Sequence, residues 1–333
     1  MKLLFLFASY LILDLLFFPL ILTAAPYYEG KRITIVVGSQ PGGGYDRIAR
    51  LAAKHLPKYI PGKPRFIIEN NPGAASILAA NQVYNVARPD GLTLCAPQRG
   101  IPYAQLLGVD GVKFDVRKYS WIGSMATEST ILCIRTDLPY KTFEDLRKPK
   151  AELIMGDTGL GASSAQFCIL LKELLGINIK MIFYPASPDV MLAVERKEVD
   201  GKAGSYSSLR PYLDRGLVRP LVRGRTSEPG IENLPVDEDL ATGKREKTIM
   251  AMRSAAELIS RPFLAPPGTS PEVLNILRYA FAKASKDPEL RDEAKKSMMA
   301  IEYTSAEECL KVVSFVLNQP EDIVKEFGKY VKF

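Results

Sequence analysis

The chain has 333 residues, 47% hydrophobic and 24% charged, the balance of an ordinary globular protein with room for two domains. Its formal net charge is +7, but Lys and Arg are interspersed with acids, so no basic block marks a nucleic-acid footprint, and the mild excess suits an anionic ligand or partner. One histidine and four scattered cysteines (Cys95, Cys133, Cys168, Cys309) offer little for a zinc site or a Ser-His-Asp centre.

The N-terminus places Lys2 before a long apolar stretch broken by Asp14 and Pro19, then the small residues Thr23, Ala24 and Ala25. That is the layout of a secretory signal peptide over residues 1–25, with an uncleaved membrane anchor as the competing reading. No later segment approaches the ~20 apolar residues of a spanning helix. In an exported protein one disulfide could form among the cysteines, although Cys133 and Cys168 sit in apolar runs that suit buried thiols.

The predicted elements then follow a strand–turn–helix rhythm. RITIVV (32–37) reads as a strand, GSQPGGGY as a glycine loop, and DRIARLAAKHL (46–56) as a helix with its apolar residues at helical spacing. RFIIEN (65–70) is a second strand, NPGAAS opens a helix at 77–87, and the RPDG turn (88–91) leads into the strand LTLCAP. The rhythm restarts with a strand at 129–136, a short helix at 141–149 capped by Thr142, a strand at 152–156, the loop DTGLGASS, and a helix at 165–176. Strand 178–185, helix 187–199 and strand 218–225 come next. Residues 227–247 are polar and Pro/Gly-rich, so they read as surface loop. A strand, a Pro-rich turn, two helices with Ser270 capping the first, and a final helix SAEECLKVVSFVLN complete the chain.

Two α/β units of this kind place glycine-bearing loops between strand ends and helix starts, where unpaired N–H groups hold anions. Competing signatures are weak. Neither glycine loop continues into Lys, so a Walker A loop is excluded. Gly159-Leu160-Gly161 imitates a dinucleotide fingerprint, but Ser164 replaces the third glycine and no acid ends the next strand. His55, late in the first helix, reads as structural. Arg99 and Arg135 are candidate ion-pairing cations, and Trp121 reads as core.

The stretch from ITIVVGSQPGGGYD through NNPGAAS to RPDGLTL, with GDTGLGASSAQF, YPASPDVMLAVERKEVDGKAGS and PFLAPPGTSPEVLNILRYAFAKASKDPEL following in order, resembles the Bug-type substrate-binding proteins of tripartite tricarboxylate transporters. The resemblance implies an α/β, two-domain periplasmic binding-protein fold of the type II, Venus-flytrap kind. It places a discontinuous domain 1 at 30–125 plus 225–333 and domain 2 at 126–224. It implies a periplasmic, monomeric receptor that delivers an organic carboxylate to transporter membrane subunits, without catalysis, cofactor or metal. A ligand sensor on the same fold, or an enzyme built on that scaffold, are the alternatives. By position, the first loop contributes Gly42, Gly43, Gly44, Tyr45 and Asp46, and the second Thr158, Gly159, Gly161, Ser163 and Ser164. Gly73 and Ala74 of the PGA turn line the same cleft, together with Ser205 and Tyr206. The chain departs from the family pattern at Ala165-Gln166, where Ser-Ser is commonly followed by His, and at Tyr184-Pro185-Ala186-Ser187, where Tyr-Lys-Gly-Gly is common. The ligand's far end is therefore open. For Asp46 itself, repulsion of an anion favours orienting the loop over touching the ligand.

Overall fold

The computed structural model describes residues 25–147 and 152–333, so the signal expected over 1–25 lies, apart from Ala25, outside the described residues. The first half runs β1 (Arg32–Val37), α1 (Gly44–His55), β2 (Arg65–Asn70), α2 (Ile77–Asn85), β3 (Thr93–Ala96), α3 (Ile101–Leu106), β4 (Ser120–Ser124), β5 (Thr130–Arg135) and α4 (Phe143–Leu146). There follow β6 (Leu153–Asp157), α5 (Ser163–Leu175), β7 (Ile179–Phe183), α6 (Ser187–Glu195), β8 (Gly201–Ser205), α7 (Tyr206–Asp214) and β9 (Val218–Arg223). The remainder is α8 (Asp237–Leu240), α9 (Lys244–Ala255), β10 (Pro262–Ala265), α10 (Pro271–Ala284), α11 (Pro288–Lys296), β11 (Thr304–Ser305), α12 (Ala306–Leu317) and α13 (Glu321–Tyr330).

These strands form two mixed sheets, ordered β11-β4-β10-β3-β1-β2 and β7-β6-β8-β5-β9. In the first, β1 pairs in parallel with β2 and β3, while β10 runs antiparallel to β3 and β4. In the second, β6 is parallel to β7 and β8, and β5 is antiparallel to β8 and β9. Helices cover both faces, as a parallel core requires. Ile33, Ile35 and Val37 of β1 point into one apolar cluster with Ile48 and Leu51 of α1, and Val36 points into another with Cys95 and Trp121. Leu153 and Met155 of β6 likewise pack beneath Phe167 and Leu171 of α5.

The first sheet draws its strands from residues 32–124 and 262–305, and the second from 130–223. Packing divides the chain slightly differently: Ile249 and Met252 of α9 and Phe327 of α13 join the cluster under the second sheet. In the span read as surface loop (227–247), residues 237–240 are helical and the helix 244–255 begins, and α3, β4, β8, α7 and α13 are further elements that local pattern did not announce. All four cysteines are free and buried, each among apolar neighbours, and burial raises their thiol pKa values, so no disulfide is present. His55 ties α1 to α11 through a 3.0 Å contact of its Nε2 with Glu293, and Trp121 is buried with its indole N–H donating to the Val116 carbonyl.

Candidate functional site

Between the two sheets lies a cleft of about 520 Å³ whose walls are loops at strand ends and the helix starts that follow them. From the first unit, β1 runs into Gly38-Ser39-Gln40-Pro41 and the glycines ahead of α1. Gly42 has φ +83°, a left-handed conformation that a residue with a Cβ enters only with strain. Its N–H donates to Asp46 Oδ2 at 2.9 Å, and the same carboxylate accepts from Arg50 Nε at 2.9 Å and Asn70 Nδ2 at 2.9 Å. Burial alone would raise the Asp46 pKa, but the bonds from Arg50, Gly42 and Asn70 together hold it below the ordinary value. Asp46 is thus a clasp behind the loop, which leaves the Gly43 and Gly44 backbone facing the cleft.

A second loop is held from inside. Gly73 has φ +137°, and Ala74, Ala75 and Ser76 all have positive φ, a run of three non-glycine residues in the left-handed region. Such strain costs roughly 1–3 kcal/mol per residue and persists only where the surroundings over-determine it. Here the buried Ser76 hydroxyl donates to the Gly38 carbonyl at 2.7 Å and accepts from the Gln98 N–H at 3.0 Å, tying the loops after β1, β2 and β3 together. A Cβ at Gly38 would lie 2.3 Å from Ser76 Oγ, so that approach requires glycine.

On the opposite wall, β6 ends at the fully buried Asp157. Its Oδ1 accepts from the Thr158 N–H at 2.7 Å and the Ser164 hydroxyl at 3.0 Å, shaping the loop before α5. Gly159 has φ +149° and Gly161 stands against Ala75 of the facing loop, where an added Cβ would come within 2.8 Å of the alanine Cβ. The walls also approach at Gly44, beside Ser208 of α7 and the Arg261 guanidinium.

Three of the helix starts facing this space carry no side-chain cap, while at a fourth, that of α6, the Ala186 N–H donates to Asp189 Oδ2 at 3.0 Å. The N-cap positions of α1, α5 and α7 are Gly43, Ala162 and Ser205, and none makes a side-chain cap bond. Away from the cleft, α4, α10, α11 and α12 are capped by Thr142, Ser270, Asp287 and Ser305, whereas α8, α9 and α13 have no side-chain cap. First-turn N–H groups left free at a cleft are anion donors. Side chains add to them: Arg99, Lys202 and Arg261 line the cleft and no Asp or Glu side chain does. Arg261 lies 4.6 Å above the Tyr45 ring and bonds Glu128 Oε2 at 2.6 Å. Arg99 is buried and bonds Thr130 Oγ1 at 2.6 Å and Ser260 Oγ at 2.9 Å, with no carboxylate within ion-pair distance among the described residues.

The structure therefore brings Gly43, Gly44, Tyr45, Gly73, Ala74, Thr158, Gly159, Gly161, Ser163, Ser164 and Ser205 to one cleft. It does not bring Gly42, Asp46 or Tyr206 to its surface. Gly42 and Asp46 are spent on each other, and the Tyr206 ring is buried beside Leu209 with its hydroxyl donating to the Pro229 carbonyl at 3.1 Å. Ser163 and Ser164 sit inside the first turn of α5 rather than at its cap. Lys202, Ser208 and Arg261 also line the cleft without having been singled out in the sequence. Only the tertiary fold reveals them: Lys202 stands on a strand with no strand signal, and Arg261 precedes β10 more than two hundred residues after the first loop. Arg135 is remote from the cleft and pairs with Asp137 and Asp200.

Two α/β sheets with a cleft between them, walled by helix N-termini, define a periplasmic binding-protein fold. The model of the tripartite tricarboxylate transporter receptor family matches residues 48–329, and the chain belongs to that family. A UPF0065 protein of Bordetella pertussis is 27% identical over 309 residues, covering 91% of this chain and 92% of its own. Among solved structures, the periplasmic binding protein BugD superposes with a TM-score of 0.73 at 21% identity, covering 92% of this chain and 99% of its own. A Rhodopseudomonas palustris protein with adipate gives 0.72 at 21% identity, covering 90% and 97%, and MatC of the same organism with bound malate gives 0.68 at 20%, covering 90% and 99%.

Proposed function

We propose that the chain is an exported, monomeric receptor that closes its two units, 30–125 plus 225–333 and 126–224, over an organic carboxylate and hands it to the membrane subunits of a tripartite tricarboxylate transporter. The observation that carries this reading is the composition of the cleft wall: helix starts from both units without side-chain caps, three cationic side chains and no Asp or Glu side chain. Structural neighbours solved with malate and adipate support the ligand class. A receptor of this kind needs micromolar affinity, about −8 kcal/mol, which several charge-assisted bonds from backbone N–H groups at roughly 1.5–3 kcal/mol each would supply once ordering costs are met.

A thermal-shift screen of residues 26–333 against mono-, di- and tricarboxylates, aromatic acids and amino acids tests the reading. A ligand at about 1,000 times its dissociation constant adds about 4 kcal/mol of stability, so one class of carboxylates should stand out as a clear rise in melting temperature. A flat response to every carboxylate, with a hit among uncharged compounds, would overturn it.

A further inference from the structure

Lys202 is the only lysine among the buried polar residues of the described chain, 5% exposed, and its position on β8 turns it to the cleft rather than to solvent. Its ammonium makes no hydrogen bond with any described residue. The nearest carboxylate oxygen, Asp157 Oδ2, is 3.9 Å away and is itself fully buried with no partner. The Ser163 hydroxyl, on the same wall, is likewise buried without a partner. Polar groups kept out of water with their hydrogen bonds unmade are costly, and the chain carries that cost at Asp157 Oδ2 and Ser163 Oγ, next to where a ligand would sit. Arg261 differs: it belongs to the other unit, stands by the glycine loop, and is already satisfied by Glu128 at 2.6 Å.

Resting on the carboxylate-receptor reading, we infer that Lys202, positioned by Asp157 and joined by Ser163, forms the subsite for a second anionic group of the ligand and so selects dianions over monoanions. The first carboxylate sits against the helix start and glycine loop of the opposite unit. The ligand's second carboxylate accepts from Lys202 and from the Ser163 hydroxyl. Asp157 holds the ammonium from behind without facing the ligand, so the pair reads charge at one end of the cleft only. A lysine is suited to this, since its compact ammonium on a flexible stem reaches a carboxylate at varied distances, where arginine would demand a planar, two-point fit.

The test is calorimetric titration of residues 26–333 with succinate, adipate and butyrate, comparing the wild type with Lys202→Met, Lys202→Arg and the double variant Asp157→Asn/Lys202→Met, which leaves no lone buried charge. Lys202→Met and the double variant should each weaken the better dicarboxylate at least tenfold more than butyrate, and Lys202→Arg should recover part of that gap. A dicarboxylate affinity unchanged in Lys202→Met and in the double variant, both folded by their melting curves, would overturn this inference while leaving the receptor reading intact. An equal loss for butyrate and dicarboxylate would also overturn it, because Lys202 would then hold the sole carboxylate. A wild type that binds none of the three carboxylates removes the inference, and the screen above then decides whether the broader reading falls with it.

Discussion

Ser76 shows how a single hydroxyl can hold a site. It sits in the left-handed region after two alanines in the same region, and its Oγ serves both the Gly38 carbonyl and the Gln98 N–H. Ser76→Ala removes both bonds and strands the buried Gly38 carbonyl, so it should cost about 1–3 kcal/mol in urea unfolding and weaken carboxylate binding as the three loops loosen. Gly43 is the complementary case. Its φ is an ordinary −73° and the nearest atom to an added Cβ is the Gln40 carbonyl at 3.6 Å, so the chain itself tolerates a side chain there. What it does not tolerate is loss of the free approach to the helix start. Asp46 was legible only in part: an acid in a first turn is visible in the sequence, but its use as a clasp depends on Asn70, which β1–β2 pairing brings to it.

At the scale of elements, the first three strands and the helices between them were legible because their apolar periodicity and their Gly/Pro turns agree. Thr142 and Ser270 cap helices as read from the sequence. β8 was not legible, since Gly-Lys-Ala-Gly-Ser contains no β-branched or aromatic residue. It is a strand because it lies between β6 and β5, where a Cβ at Gly201 would come within 2.1 Å of the Cys133 carbonyl. Close packing selected small residues over strand formers, and the same strand carries Lys202 to the cleft. Helix α9 was hidden similarly, because Lys244–Lys247 looks like loop until Ile249, Met250 and Met252 are seen packing on the second sheet. The clasp at the start of α1 should show in acid. Asp46 titrates below its ordinary value in the folded chain, so its contribution is full above about pH 4 and is lost as pH falls through the lowered folded value. Asp46→Asn should therefore be less stable than wild type at neutral pH, and the difference should shrink in acid unfolding curves.

Across the whole molecule, the two sheets are joined where residues 125–130 run beside 256–261, with the Glu128 N–H donating to the Glu257 carbonyl at 3.1 Å and the Ser260 N–H to the Ala126 carbonyl at 3.1 Å. The crossing is rich in buried charge. Arg261 meets Glu128, Arg253 meets Glu257 and Asp237, and Arg99 reaches across to Thr130. Glu228 accepts from the Ser129 N–H at 2.8 Å beside this network, and burial, with the nearby Glu128 charge, raises its pKa to about 7. The folded chain then holds a proton that the unfolded chain releases near its ordinary value of 4.5, so stability falls as pH rises between the two. Glu228→Gln should flatten that decline in melting temperature. Of this network only Arg99 was singled out in the sequence, because its members are spread from Arg99 to Arg261 and only the two-unit topology gathers them.

The central claim is that the glycine loop and the facing helix starts hold a ligand carboxylate. The most direct test is calorimetric titration of the carboxylate that most raises the melting temperature into wild type and Gly43→Val. We expect saturable one-to-one binding to wild type and at least a tenfold loss in the variant, with both melting within a few degrees of each other. Equal affinity in the two proteins would contradict the account and place the ligand elsewhere.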